Sequence, residues 1–480
     1  MSIKFGTDGW RAVISQDFTF DNLRLVAQSI ANFILESDAP DAANPEKIAV
    51  VGFDTRFLSD RYAAEVAMVF AANGIKTWLA RADAPTPAVS YAIVEKKATA
   101  GVMITASHNP PRYNGVKLKA GFGGSATKAQ HKIVEGHLQQ IITEGIEPKI
   151  MSYDEAINSE RITRFDPAWN YYGHLGTLLN LDTITKGKLN IVADGMYGSG
   201  RGVIREILTR TRTEVTNIRH RMNPGFGGIH PEPIARNLAQ LMSRMKSGHH
   251  DLGLATDGDA DRIGAVDANG QFVDPHRIFA LVLKYLIEER GMRGKVVRTV
   301  STTRMIDRIC EKHNLQLIEV PVGFGLIADL MMTDDILMGG EESGGMSIKG
   351  HIPEGDGVLM GLLLLEVVAA AKRPLDELID ELLEEYGPAQ YARTDMKLSR
   401  PVKKEVMVKM LLDEAPSQIA GIEIERIETT DGVKYYLADG SWLLIRPSGT
   451  EPVLRVYAEA ADNDRVAALL GYGEKMAEKS

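Results

Sequence analysis

Much of the chain repeats one local pattern, a short apolar run followed by a longer stretch of helical period. That alternation leaves few architectures open. Short apolar runs fit strands buried on both faces, and the helical stretches between them fit the crossovers of stacked βα units. Four of the runs end in polar or glycine-rich loops: VMIT before ASHNP, NIVA before DGMYGSG, LGLA before TDGDADR, and DILM before GGEESGG. In open α/β sheets ligands gather at the carboxyl ends of strands, so several of these loops are expected to face one cleft. From Ala389 onward the pattern changes. The runs MKLSR, YYLAD, WLLIR and LRVYAEA alternate and end in turn residues, and residues 463–480 read as a terminal helix, which predicts a small antiparallel α+β domain.

At 480 residues the chain exceeds a single domain, and about three or four units are expected, each with its own core. The expected divisions are 1–154, 155–262, 263–386 and 387–480, with Asp38 to Pro45 at most a surface loop. The segment Val358 to Ala371 is the most apolar, but it is interrupted by Glu366 and falls short of the roughly 20 residues that span a bilayer. It is expected to be a buried helix, and no membrane partner is expected. A net charge of -9 would repel a phosphate backbone, so nucleic acid is excluded as a partner while local basic clefts for small anions are not. The single cysteine, Cys310, can form no intramolecular disulfide and reads as a core thiol on a helix. With no signal-peptide pattern at the N-terminus, the expected setting is cytoplasmic.

Four motifs carry chemistry. In TDGDADR, Asp257, Asp259 and Asp261 recur at every second position, which turns three carboxylates one way. Packed together they repel unless a cation joins them, and hard oxygen ligands suit Mg²⁺ or a similar ion. An EF-hand is excluded, because Arg262 and Ala268 stand where that loop needs Gly and Glu. A solvated acidic turn is the alternative. In TASHNPPRYNGVKLK, Ser107 ends an apolar strand with His108 beside it and Lys117 further on, a plausible nucleophile or phosphoryl carrier. Taken alone, the tetrapeptide SHNP reads better as a capped turn. In IRPSGTEP, Arg446 precedes a Ser448, Gly449, Thr450 turn, where backbone N–H groups, hydroxyls and a guanidinium fork would cradle a phosphate. A polar hairpin turn fits equally. In GGEESGG, Glu341, Glu342 and Ser343 could hold vicinal sugar hydroxyls, or form a flexible acidic loop. Arg11, in FGTDGWR, is either a phosphate contact or a surface charge. No P-loop is present, and GMYGSGRG misses the dinucleotide fingerprint and reads as a strand-to-helix turn.

The order of FGTDGWR, TASHNP, DGDADR, GEESGG and RPSGTEP along nearly the whole chain resembles the α-D-phosphohexomutase family. The resemblance implies three related α/β domains and a smaller C-terminal α+β domain around one central cleft. It reverses the bland reading of SHNP, since Ser107 then matches the family's phosphoserine and, through its phosphate, a metal ligand. Asp257, Asp259 and Asp261 match the Mg²⁺ ligands. His108, Lys117, Arg11 and Arg262 match basic residues around the moving phosphoryl group. Glu341 and Ser343 match the sugar-binding residues, and Arg446, Ser448, Gly449 and Thr450 match the site for the non-reacting phosphate.

The implied reaction interconverts hexose 1-phosphate and hexose 6-phosphate through a bound hexose 1,6-bisphosphate, which also serves as activator or donor. GEESGG with YNGVK resembles the phosphoglucomutase and phosphomannomutase branch more than the glucosamine branch, with glucose favoured over mannose. Relatives of this kind are monomers or dimers. Two positions depart from many relatives: Gly325 in VGFG and Gly355 in IPEGDG stand where basic residues are common, with Lys349 and His351 as candidate substitutes for the lost charge. The departures raise a second reading, a glucose-1,6-bisphosphate synthase. A non-catalytic sugar-phosphate sensor and a metal phosphatase are further alternatives.

Overall fold

The computed structural model describes residues 3–6, 9–38, 45–398, 404–447 and 453–478. Asp38 to Pro45, read as a loop, lies largely outside them. Four sheets follow one another along the chain. The first runs, in spatial order, Trp10–Val13, Tyr113–Ala120, Ala100–Ile104, Ile48–Phe53, Lys76–Ala80 and Ile162–Phe165. The second runs Phe272–Val273, Ile263–Val266, Leu252–Thr256, Asn190–Asp194 and Glu214–Ile218, and the third runs Leu317–Val320, Lys295–Thr299, Ile336–Gly340 and Met346–Ile348. The fourth is antiparallel throughout, from Gln390–Lys397 to Gln418–Ile419, with the helix Asn463–Glu478 on it.

The first three sheets share one device. A strand parallel to its inner neighbour ends in a loop, and the chain then returns as an antiparallel strand beside it. Ala100–Ile104 returns as Tyr113–Ala120, Leu252–Thr256 as Ile263–Val266, and Ile336–Gly340 as Met346–Ile348. The loops at these three reversals carry Ser107, the Asp257 to Asp261 cluster and Glu341. Strand pairing places two divisions later than expected. Ile162–Phe165 pairs with Lys76–Ala80, and Ile263–Val266 and Phe272–Val273 complete the second sheet, so the sheets separate after Phe165 and Val273 rather than at 154 and 262.

The expectation of one core per unit also needs correction. A single buried cluster spans the second and third units, including Leu254, Phe279 and Leu363. Its centre is the helix Gly357–Ala371, which is apolar on all sides and therefore buried against both units. The charge inside that helix is satisfied: Glu366 accepts from Tyr285 Oη at 2.8 Å and from the Asn180 backbone N–H at 2.8 Å, and pairs with Arg290. Among the described residues no helix is long and apolar enough to cross a membrane.

Candidate active site

Ser107 follows the strand Ala100–Ile104 and is fully buried, with φ +49°, a conformation that costs an ordinary residue roughly 1 kcal/mol. Its Oγ donates to Asp257 Oδ2 at 3.0 Å and lies 3.3 Å from His108 Nδ1. The two loops meet tightly. A Cβ added at Gly258 would fall 2.4 Å from the Ser107 carbonyl oxygen, so glycine there is what lets the first and second units close on each other.

The three aspartates gather as their spacing predicted, each offering an oxygen within 4.8 Å of the others. Lys117, buried on the return strand of the first sheet, reaches Asp259 Oδ2 at 3.0 Å and Asp261 Oδ2 at 2.7 Å. Thr86 adds a hydroxyl donor to Asp259 Oδ2 at 2.7 Å. Burial pushes the Asp257 carboxyl well up, helped by the negative charges of Asp261 and Asp259. Burial also pushes Asp259 up, but Lys117 and Thr86 outweigh it and hold that carboxyl below its ordinary range. Asp259 Oδ1 and Asp261 Oδ1 are buried without a hydrogen-bonding partner among the described residues. Three carboxylates against one ammonium, with two oxygens accepting no hydrogen bond, suit a divalent hard cation. Asp257, Asp259 and Asp261 could hold one.

Basic groups frame this cluster. Arg11 donates to Asn109 Oδ1 at 2.7 Å, and Arg262 stands 3.8 Å from Asp261. Burial, and then the positive charges of Arg262, Arg11, Arg455 and Arg393, hold His108 well below the ordinary histidine range, so its imidazole is neutral at pH 7. A backbone bridge between Arg262 and Gly345 pins the second loop to the third. There Glu341 accepts from the Gly323 backbone N–H at 2.9 Å, and burial raises its carboxyl to about 7 despite Arg262. Arg446 donates to Asp431 Oδ2 at 2.6 Å and faces the same cleft. Ser448, Gly449 and Thr450 lie outside the described residues.

The cleft holds about 790 Å³, within the range of about 300–1,000 Å³ usual for small-molecule sites. All four units line it, through His108, Arg262, Glu341, Ser343, Arg393 and Arg446 among others. Three of the four strand-end loops converge there. The fourth, DGMYGSG, buttresses instead: Ser199 N–H donates to the Gly258 carbonyl and the Tyr197 carbonyl accepts from Thr55 Oγ1 at 2.9 Å.

Several residues of the site carry no sequence motif. Arg393 pairs with Glu342 at 3.4 Å across the third and fourth units, and Arg455 lines the cleft beside it. The proposed substitutes for lost charge do not serve that role. Lys349 pairs with Asp335, and His351 is buried against Asp356 at 3.0 Å. The two glycines also differ. A Cβ at Gly325 meets nothing within 4 Å, whereas at Gly355 it would lie 2.9 Å from the Asp261 carbonyl oxygen and 3.2 Å from Gly345 Cα.

Comparison with known proteins gives this arrangement its family. Residues 2–144, 170–270 and 274–386 match the phosphoglucomutase/phosphomannomutase alpha/beta/alpha domains I, II and III, and 401–471 match the C-terminal domain of the same family. A phosphoglucomutase/phosphomannomutase of Thermococcus kodakarensis is 28% identical over 99% of this chain and 98% of its own. A phosphoglucosamine mutase of Methanocaldococcus jannaschii is 32% identical over 82% of this chain and 84% of its own. A solved structure from Thermus thermophilus, described as of phosphomannomutase type, superposes with a TM-score of 0.85 at 32% identity, covering 100% of this chain and 99% of that one. The chain belongs to the phosphoglucomutase/phosphomannomutase family. It is an enzyme of the phosphotransferase mutase class, whose members are Mg²⁺-dependent and act on hexose phosphates.

Proposed function

We propose that the enzyme interconverts hexose 1-phosphate and hexose 6-phosphate, glucose favoured and mannose possible, with Ser107 as the phosphoryl carrier. The observation that carries this reading is the buried Ser107 Oγ, 3.0 Å from Asp257 Oδ2, beside a cleft to which all four units contribute. In the first half-reaction the P–O bond to Ser107 breaks and a P–O bond to the free O1 or O6 of the sugar forms. The hydroxyl proton passes to Ser107 Oγ, with neutral His108 at 3.3 Å within reach to relay it. The hexose 1,6-bisphosphate so formed turns around, and its other phosphoryl group returns to Ser107. Lys117, Arg11 and Arg262 surround the transfer with positive charge. Mg²⁺ held by Asp257, Asp259, Asp261 and the phosphorylated Ser107 would stabilise charge on the moving group. Glu341 and Ser343 hold sugar hydroxyls, and Arg446 with Ser448, Gly449 and Thr450 binds the idle phosphate in both orientations. Hexose 1,6-bisphosphate charges the serine initially.

Glu341 supplies a pH prediction. Its folded value of about 7 lies above the unfolded one of about 4.5, so the folded protein binds the proton more tightly. Its stability contribution is full below about 4.5 and is lost as pH rises through 7. Binding runs the other way, because only the ionised carboxylate accepts from two sugar hydroxyls at once. KM is expected to rise as pH falls from 8 to 6. Substrate phosphate titrates near pH 6 as well, so the diagnostic quantity is the difference between wild type and Glu341→Gln, whose profile should be flatter. Identical profiles would remove Glu341 from the sugar site.

Gly325, open and uncharged, favours a second reading in which the bisphosphate leaves before it reorients, making the enzyme a glucose-1,6-bisphosphate synthase. Phosphorus NMR with Mg²⁺, glucose 6-phosphate and fructose 1,6-bisphosphate separates the two. Glucose 1-phosphate approaching equilibrium with traces of bisphosphate supports the mutase. Stoichiometric glucose 1,6-bisphosphate with matching loss of donor supports the synthase, and steady inorganic phosphate would overturn both. In a synthase, Gly325→Lys should cut bisphosphate release severalfold. Restoring a basic residue at Gly355 is expected instead to push the backbone at Asp261, so only position 325 tests the charge.

A further inference from the structure

We propose that Arg56 is a positioning residue for phosphoryl transfer, holding the Ser107 loop in the conformation from which Oγ reacts; the inference rests on reading Ser107 as the phosphoryl carrier. Arg56 lies in the Asp54-Thr55-Arg56 turn that follows the strand Ile48–Phe53, and it is 2% exposed. A guanidinium has five N–H donors in a rigid fork, and here every one is used. Nε donates to Asp54 Oδ2 at 3.1 Å. Nη1 donates to the carbonyls of Pro110 at 2.9 Å and Tyr113 at 3.0 Å, and Nη2 to those of Ser107 at 2.6 Å and Asn109 at 2.7 Å.

Four of the five bonds therefore end on one seven-residue stretch, 107–113, that begins with the candidate nucleophile. A group serving only the stability of the first unit would be expected to spread its bonds over helices and strands. Asp54 extends the same hold. Its Oδ2 accepts from Thr105 Oγ1 at 2.7 Å, and Thr105 Oγ1 in turn accepts from the Ser107 backbone N–H at 2.8 Å. Ser107 is thus held at its carbonyl directly by Arg56 and at its N–H by Thr105, whose hydroxyl is in turn anchored on Asp54, the partner of Arg56. That grip offsets the cost of its left-handed φ of +49°. It also fixes the peptide plane after Ser107. In a planar trans peptide the carbonyl and the next N–H point oppositely, so the His108 amide is turned away from Arg56. From the second unit the Phe226 ring lies 4.9 Å from the guanidinium carbon, so Arg56 also senses the unit that carries the aspartates.

Lysine has three donors and no planar fork, and it cannot reproduce this pattern while keeping the charge. A nucleophile misplaced by about 1 Å loses on the order of 100-fold in rate. Arg56→Lys is accordingly expected to lower kcat about 100-fold, with KM for glucose 1-phosphate within about threefold of wild type, because no substrate contact is touched. Added guanidinium at low millimolar concentration should partly restore kcat in Arg56→Ala.

The direct measurement is intact-protein mass spectrometry of holoenzyme with Mg²⁺, following the rate at which Ser107 gains a phosphoryl group from glucose 1,6-bisphosphate. Circular dichroism and Mg²⁺ titration report folding of the same samples. A folded Arg56→Lys with slow phosphorylation and unchanged KM is the expected result. Wild-type phosphorylation rate in that variant, or a loss that tracks only the unfolded fraction, overturns the inference about Arg56. Failure of the wild-type protein itself to phosphorylate at Ser107 overturns instead the reading of Ser107 as carrier.

Discussion

Replacing Ser107 with alanine is expected to abolish mutase turnover, by about 10⁴-fold or more, while leaving hexose phosphate affinity within a few fold of wild type. The asymmetry follows from what the hydroxyl does. Ser107 Oγ donates one hydrogen bond, to Asp257 Oδ2, and is fully buried, so its removal deletes a single atom and leaves no large cavity. Nothing that holds the sugar or the idle phosphate depends on it. Without the hydroxyl no covalent carrier exists, and losing a nucleophile typically costs more than losing any one stabilising group. The experiment pairs coupled-assay kinetics with calorimetric titration of glucose 6-phosphate. Lost turnover with retained binding is the expected pair. Turnover within tenfold of wild type would exclude Ser107 as carrier, and retained cellular function without turnover would favour a sensor.

How much of this was legible in the sequence depends on where the partners lie. The aspartate cluster was legible because its members occupy alternate positions of one loop, and local spacing determines where their side chains point. The Ser107 loop was legible as a strand end, although its function came from the order of motifs along the chain. Convergence was only partly legible. Four apolar runs end in similar loops, yet only three stand at a parallel strand followed by an antiparallel return, and those three line the cleft. The loop after Asn190–Asp194 leads into a helix and supports the site from behind.

The remaining misses have a common cause. Arg56 acts on backbone carbonyls, which leave no mark on residue identity, and Arg393 meets Glu342 across 51 positions. The divisions at 154 and 262 fall short because neither Ile162–Phe165, which joins the first sheet in parallel, nor the return strand Ile263–Val266 carries a signal of the sheet it pairs with. The close approach of Gly355 to Asp261 is likewise a tertiary fact. A glycine in the sequence reads as a missing charge, whereas in the structure one glycine stands in open space and the other beside backbone.

Chelation of divalent cations is expected to stop turnover and to lower the melting temperature, and both effects should reverse on adding Mg²⁺. Three carboxylates whose oxygens lie within 4.8 Å of one another repel strongly when all are ionised. Lys117 bridges Asp259 and Asp261, and Arg262 stands 3.8 Å from Asp261, so two cations face three carboxyl groups and the cluster has room for further positive charge. A hard cation would supply that charge, and among the three aspartates Asp259 Oδ1 and Asp261 Oδ1 are buried oxygens with no hydrogen-bonding partner among the described residues. An ion that binds only the folded state at about 100 times its Kd stabilises it by ~2.7 kcal/mol, which a melting curve resolves readily. Asp259→Asn should weaken Mg²⁺ binding about tenfold or more, read by isothermal titration. The same substitution removes one of the two carboxylates paired with Lys117 and leaves Asp261 at 2.7 Å, so the thermal shift on adding Mg²⁺ should shrink together with the affinity. Ser107→Ala keeps all three carboxylates and Lys117, and its thermal shift with Mg²⁺ should be close to that of the unphosphorylated wild type. A shift lost in Ser107→Ala but kept in Asp259→Asn would place the cation elsewhere. Turnover that persists after exhaustive chelation would mean that Lys117 and Arg262 balance the cluster and that the transfer proceeds on basic side chains without a metal.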